Sequence, residues 1–373
     1  MENEKRWKRD CKSFPGIYAC DIMTAERYKD CNGCPYYEPY TKKILIIKLG
    51  ALGDVLRTTP LLHAIKKRYG NPLIYWLVKE ESKPFLENNI YIDKILIYNL
   101  DMILRLMNEK FDILYSLEID YPAIGLANLI KAEEKFGFFA NEDGHPAIFN
   151  KEAKHYLEMV FSNHLKKENR KSYQEIIFEI CKMKYNKEEI ILELTNKDKS
   201  YGTLFMKKHH IKKSDKIIGV NIGAGPRWIA KSWNIGLIIE LIKKLYKNYK
   251  VLLLAGPEEV RIQKDILLKL KKEKIIVIPN NPQNNLKEFA SVMNICSLII
   301  TGDTMALHLA VGLKKEVVAL FFCTPPWEIE SYGKIKKIVS PLLDNNLFSE
   351  EYNEELSNSI SVKEVFKTIE QIR

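Results

Sequence analysis

The stretch KILIIKLGALGDVLRTTPLLHAIKKRYG, residues 43–70, decides how the chain is read. It opens on a dense β-branched run, KKILIIKL (42–49), the pattern of a parallel strand buried on both faces. A loop follows, Gly50-Ala51-Leu52-Gly53-Asp54. VLRTTPLLHAIKKRYG (55–70) then has the spacing of an amphipathic helix and stops at Gly70. Outward from this unit the same grammar recurs. PLIYWLV (72–78), DKILIY (93–98), FDILYSLE (111–118) and EEKFGFF (133–139) read as strands of a first half. KIIGVNIG (216–223), KVLLLAG (250–256), KIIVIP (274–279), SLIITGD (297–303) and EVVALF (316–321) read as strands of a second. Strands alternating with helices make an α/β protein with doubly wound sheets, two Rossmann-like domains in tandem. Neither half contains G-x-G-x-x-G, so a dinucleotide cofactor is not indicated.

Residues 151–215 interrupt the pattern. They are rich in Lys, Glu and Asn, with helical periodicity in KSYQEIIFEICKMK (171–184). The expected organisation is a cysteine-rich extension (1–40), a first domain (41–190), a second domain (191–360) and a terminal helix (361–373). A length of 373 residues suits two domains. Lys and Arg number 58 against 48 Asp and Glu, and the resulting +10 favours an anionic partner. The basic residues are spread along the chain, which argues against nucleic acid. The charged N-terminus MENEKRWKRDCKSF is not a secretory signal, and no run is long and apolar enough to span a bilayer. A cytoplasmic protein is expected.

Three loops after expected strands carry candidate chemistry, since an open parallel sheet binds ligands there. In the first, Gly50 and Gly53 allow a tight turn and close approach, and Asp54 is either a helix cap or a general base. Glu118 or Asp120, at the end of FDILYSLEID, would be a competing base. The second is Asn221-Ile222-Gly223-Ala224-Gly225-Pro226-Arg227-Trp228-Ile229-Ala230-Lys231-Ser232-Trp233. Its glycine turn followed by Arg227 and Lys231 suits a diphosphate; an ordinary loop with solvated cations is the alternative. The tryptophans read as packing residues. The third, Thr301-Gly302-Asp303-Thr304-Met305-Ala306-Leu307-His308, starts a helix whose amides would face an anion, with Asp303 and His308 near sugar or phosphate. Asp303 or Thr304 would equally cap that helix, and a lone helical His is usually structural.

One acid loop followed by two phosphate-type loops, in KILIIKLGALGDVLRTTPLLHAIKKRYG, NIGAGPRWIAKSW (221–233) and GDTMALHLAVGL (302–313), is similar to glycosyltransferase family 9, the heptosyltransferases that use ADP-heptose. The resemblance runs from about Lys42 to the C-terminus. It implies a GT-B fold, with two Rossmann-like domains facing a central cleft. The first domain would hold the acceptor, the second the nucleotide sugar, and the terminal helix would cross back to the first. It implies an inverting transfer needing no cofactor. Asp54 matches the family's catalytic-base aspartate and Lys231 its diphosphate-binding lysine. Asp303 and Thr304 match its donor-binding pair, His308 the histidine that follows, and Gly256 the glycine beside the nucleotide. Met305 departs from the family's glycine. The expected acceptor is an anionic glycan or glycolipid of the lipopolysaccharide-core type, reached by peripheral membrane association. A nucleotide-sugar epimerase and a non-catalytic nucleotide-sugar-binding protein are the alternatives.

Cys11, Cys20, Cys31 and Cys34 lie outside that resemblance. Four cysteines in the extension, one pair as C-x-x-C, favour a structural zinc or iron site over free thiols or a disulfide. Cys181, Cys296 and Cys323 sit among apolar residues and read as core.

Overall fold

The computed structural model describes residues 6–225 and 227–372. Met1–Lys5 of the extension, Pro226 of the second loop and Arg373 lie outside them. The first sheet contains β1 (Lys43–Ile47), β2 (Leu73–Val78), β3 (Lys94–Ile97), β4 (Lys110–Ser116), β5 (Lys131–Ala140) and β6 (Pro146–Ile148). Its order is β3-β2-β1-β4-β5-β6. The second contains β7 (Ile217–Asn221), β8 (Lys250–Leu254), β9 (Ile278–Pro279), β10 (Leu298–Gly302), β11 (Glu316–Phe321) and β12 (Ile335–Val339), ordered β12-β11-β10-β7-β8-β9. Counted within its own half, each sheet therefore has the order 3-2-1-4-5-6 of a Rossmann fold. Pairing is parallel throughout except at β5–β6.

Burial explains why the β-branched runs became strands. In β1, Ile44 and Ile46 pack into one core, and Leu45 and Ile47 into another on the opposite face. In β8, Val251 and Leu253 face one layer and Leu252 and Leu254 the other. Apolar side chains on both faces need helices on both faces.

The differences from the sequence pattern have local causes. The helix expected over 55–70 is two helices, Leu52–Thr58 and Leu61–Tyr69. Pro60 breaks the run, because it has no N–H to continue the ladder. Gly70 ends the second helix at φ 73°. β9 is shorter than 274–279 because Lys274 is left-handed and Pro279 cannot donate to a neighbour. β6 and β12 were not legible in advance. β6 has three residues and begins with Pro, and β12 carries lysines that suit a sheet edge.

Two further elements join the halves. Residues 190–194 run between them with side chains alternating: Ile191 joins the first core, while Ile190, Leu192 and Leu194 join the second. The helix Val362–Ile372 does not cross back to the first domain. Its buried stripe of Val362, Val365 and Ile369 packs in the second domain's core with Ile238, Leu241 and Ile242. The crossing is made instead by the connector between β11 and β12. There Tyr332 accepts hydrogen bonds from Gln174 (3.3 Å) and Tyr185 (3.2 Å), and Trp327 lies under the Arg170 guanidinium at 4.1 Å.

Beneath the first loop, Lys48 is 1% exposed and donates to Glu118 at 2.8 Å. Removing one partner of a buried pair strands the other charge. Glu118→Leu is expected to lose about 3–5 kcal/mol of stability in urea unfolding, and the Lys48→Met/Glu118→Leu double variant to recover most of it.

Candidate active site

In each sheet the strand order reverses between the first and fourth strands of its own half, which opens a crevice at the carboxyl edge. The loops after β1 and β4 bring Asp54 and Glu118 to one crevice; those after β7 and β10 bring Lys231 and Asp303 to the other. The two crevices meet. Helix Leu52–Thr58 packs on helix Met305–Gly312, with Leu56 buried among Ala306, Leu307 and Ala310.

Gly53 makes that approach possible. A Cβ there would lie 2.4 Å from His308 Cδ2, and one at Gly50 would lie 2.2 Å from Glu118 Oε2. Both glycines make room for side chains of the protein itself, where the sequence pattern pointed to a ligand. Gly223 and Gly256 behave alike. Each would place a Cβ 3.1 Å from the Glu259 carboxylate, which accepts from the Gly256 N–H at 3.0 Å.

Asp54 does not cap its helix through its side chain; Ala51 holds that position. Its carboxylate accepts from Arg57 Nη2 at 2.7 Å, one helical turn on. Burial alone would raise the Asp54 carboxyl, but Arg57 and Lys48 outweigh it and hold it at about 2. Arg57 lies over the Tyr173 ring at 4.0 Å, and its Nε is buried without a hydrogen-bond partner. The competing bases are otherwise engaged. Glu118 pairs with Lys48, and Asp120 caps the helix Tyr121–Leu129 by accepting from Ala123 N at 3.2 Å.

On the second domain, Lys231 donates to the Asp303 carbonyl at 2.9 Å and to its carboxylate at 3.3 Å. Burial would raise the Asp303 carboxyl, while Lys231 and Arg57 lower it. His308 Nε2 is 3.9 Å from Asp303 Oδ1, but burial and then Arg57 push the imidazole down to about 4. It is neutral at pH 7, so this contact is not an ion pair.

Two cavities open from this junction. One, about 490 Å³, belongs to the second domain apart from Leu52. Gly223, Lys231, Gly256, Glu259, Asp303 and Thr304 line it, as does the first turn of helix Met305–Gly312. The side chain of Met305 stands at that turn. A helix start offers unpaired N–H groups to an anion. The other cavity, about 420 Å³, spans both domains, with Asp54, Arg57, Tyr173, Arg227 and Glu328 on its walls. Arg227 is thus not with Lys231. It is an exposed group paired with Glu350 at 3.3 Å, because its side chain leaves the loop toward residues 348–350. Trp228 borders both cavities, whereas Trp233 is core, its indole N–H on the Ile360 carbonyl at 3.0 Å.

Sequence reasoning missed Arg57, Lys48, Glu259 and Glu328. Arg57 was findable from its i+3 spacing to Asp54 on a helix. Glu328 follows a strand like the other site loops but lacks a glycine turn.

The four N-terminal cysteines are free and all line one small cavity of about 20 Å³, with Phe14, Met23 and Tyr37. Among the described residues, however, no three His, Cys, Asp or Glu are grouped closely enough to hold a metal ion. The extension is tied down by Lys12 to Asp93 (3.1 Å) and Asn71 to the Pro39 carbonyl (3.0 Å). Cys181, Cys296 and Cys323 are buried.

The model of the family described as Glycosyltransferase family 9 (heptosyltransferase) matches residues 100–356. The chain belongs to this family. It is a glycosyltransferase of GT-B fold. Among characterised relatives, lipopolysaccharide heptosyltransferase 1 of Campylobacter coli is 26% identical over 314 residues, covering 80% of this chain and 89% of the relative. Lipooligosaccharide heptosyltransferase 2 of Campylobacter jejuni is 23% identical, covering 74% and 82%. A family 9 glycosyl transferase of Veillonella parvula superposes with a TM-score of 0.71 at 21% identity, over 90% of this chain and 98% of the other. ADP-heptose lps heptosyltransferase II of E. coli gives 0.66 at 18%, over 88% and 98%. At these identities the structural likeness speaks for the fold.

The Asp54 contribution to stability has a defined acid window. Its folded value of about 2 lies below its ordinary 3.8. The contribution is complete above about pH 4 and is lost as the pH falls towards 2. Thermal unfolding of Asp54→Asn is therefore expected to change less across this window than that of the wild type.

Proposed function

We propose that this glycosyltransferase moves heptose from ADP-heptose onto a hydroxyl of an anionic glycan of the lipopolysaccharide-core type, with inversion. One observation carries the reading: the Lys231–Asp303 pair and the helix start at Met305 line a cavity bordered by Leu52, at the start of the helix that carries Asp54 and packs on the helix Met305–Gly312. The donor's diphosphate would lie against Lys231 and the amides of residues 304–306. The acceptor would enter the cavity that Asp54 and Arg57 line. Its hydroxyl oxygen attacks the anomeric carbon as the bond to the diphosphate breaks. The leaving electron pair stays on the diphosphate, where Lys231 and the helix dipole stabilise it. Asp54, kept ionised by Arg57, would take the proton of that hydroxyl as the new bond forms. No cofactor is required in this scheme. The Campylobacter relatives, heptosyltransferases of lipopolysaccharide and lipooligosaccharide, support the sugar and the acceptor class. The +10 net charge suits an acceptor at an anionic membrane surface. Among the described residues no helix is long and apolar enough to cross a membrane.

The reading extends to a structural zinc or iron ion on Cys11, Cys20, Cys31 and Cys34. Their residue type suits such an ion and they line one cavity, but among the described residues no three of them are grouped closely enough to hold it. It would fasten the extension and take no part in transfer.

Calorimetric titration is expected to give binding of ADP and ADP-heptose in preference to UDP- and GDP-sugars, weakened about tenfold or more in Lys231→Ala, which removes a charge-assisted contact. Equal binding of all nucleotides, or none, would sink the donor assignment. Elemental analysis of the purified chain is expected to find one zinc or iron per molecule, lost in Cys31→Ser/Cys34→Ser with ADP binding intact.

A further inference from the structure

Three carboxylates at the domain junction are already paired: Glu118 with Lys48, Asp54 with Arg57 and Asp303 with Lys231. Glu328 is not. Among the described residues its side chain has no ion pair within 4 Å and no hydrogen bond, yet it is half-buried on the wall of the interdomain cavity with Asp54 and Arg57. A carboxyl removed from water without a partner is costly. The turn that carries it is nevertheless clamped. Lys337 of β12 donates to the Pro326 carbonyl at 2.6 Å and the Ile329 carbonyl at 2.5 Å, and Ile329 is buried in the core. Trp327 beneath Arg170 and Tyr332 on Gln174 fix the same connector to the first domain. A polar group held this rigidly on a cavity wall is arranged for a ligand. The wall suits one kind of ligand. Tyr156, Tyr173, Trp228 and Phe348 give it aromatic faces, while Asp54 and Glu328 offer oxygens that, once ionised, only accept hydrogen bonds. A few polar groups on an apolar wall fix a ligand's orientation. A sugar ring has the matching parts, C–H faces for the rings and hydroxyl donors for the oxygens. The donor-side cavity would also hold a sugar, but Glu328 is not on its walls.

We propose that Glu328 binds a second hydroxyl of the acceptor sugar, beside the hydroxyl that Asp54 deprotonates, and so selects an acceptor residue that presents a diol. The inference rests on the transferase reading above and leaves the proton transfer with Asp54. No bond to Glu328 forms or breaks; the second hydroxyl donates a hydrogen bond to its carboxylate and keeps its proton. Burial is the largest influence on that carboxyl. With Asp303 and Asp54 it outweighs Arg57 and Lys231 and pushes the group up to about 7. A hydroxyl hydrogen favours the charged form and would offset the burial. The remaining cations of the wall, Lys166 and Arg227, stand against Phe348 at 5.8 Å and Glu350 at 3.3 Å. An anionic part of the acceptor is repelled by Asp54 and Glu328 and would lie toward these cations, so the acceptor enters with its neutral diol foremost.

The full chain would be assayed for ADP release from ADP-heptose with heptose-deficient lipopolysaccharide as acceptor, each substrate being varied in turn. Glu328→Gln is expected to lower kcat/KM for the acceptor by about 10–100-fold, the range of a hydrogen bond to a charged group, and chiefly through KM. Its KM for ADP-heptose and its calorimetric affinity for ADP are expected to stay at the wild-type values, the second showing that the variant is folded. Asp54→Asn is expected to lose kcat instead. A further measurement needs no turnover. In carbon-13 NMR of glutamate-labelled protein, one carboxyl signal, missing from Glu328→Gln, should move on adding deacylated heptose-deficient lipopolysaccharide and stay in place on adding ADP. An unchanged acceptor KM in Glu328→Gln, a loss confined to kcat, a raised KM for ADP-heptose, or no such signal moving with the acceptor would each overturn the assignment to Glu328 alone. A wild type that binds ADP-heptose but transfers no sugar would overturn the transferase reading beneath it.

Discussion

The buried Arg57 guanidinium holds the two halves of the site in one electrostatic unit. It pairs with Asp54, stacks on Tyr173, and acts through space on Asp303, His308 and Glu328. Against burial, which raises both carboxyls, its charge lowers Asp54 together with Lys48, and it adds to Lys231 in lowering Asp303. Burial, and after it the same charge, keeps His308 neutral. A largely buried cation is costly without its carboxylate in place. Arg57 thus shares in the charge state of groups on both sides of the cleft.

The reach of Arg57 across the junction depends on how closely two helix starts approach. Gly53 lets His308 lie against the first loop, and Gly50 does the same for Glu118. Gly223 and Gly256 accommodate Glu259 beneath the second domain's loops. In each case the missing side chain is filled by a polar group of the protein. A glycine-rich loop in a sheet crevice is commonly read as room for a ligand. Here the room beside Gly50 and Gly53 is already taken, while Gly223 and Gly256 also line the ligand space along Lys231 and the helix start at Met305.

The elements outside the crevices divide by how much tertiary contact they need. The terminal helix carries its own apolar stripe and would fit either domain by pattern. It lies on the second because Ile238, Leu241 and Ile242 present a matching surface there. The domains are joined instead by residues 190–194 and by the turn around Trp327 and Tyr332. Neither has a strong sequence signal: one alternates between two cores, and the other is a short turn rich in proline.

By itself the sequence determined the α/β class, the tandem halves, most interior strands and the loops that carry the chemistry. These follow from local physics: runs buried on both faces, glycines at turns, and strand ends that open at a crevice. It also determined the residues Asp54, Lys231 and Asp303 as candidates, because each follows a strand. The tertiary structure alone decided what those residues touch. Arg57 reaches Asp54, Arg227 turns away to Glu350, and Glu328 enters the junction from a connector with no motif. Edge strands β6 and β12 belong to the same class, since they are held by neighbours more than by their own pattern. Pairings across hundreds of residues depend on which surfaces meet, and no local spacing encodes that.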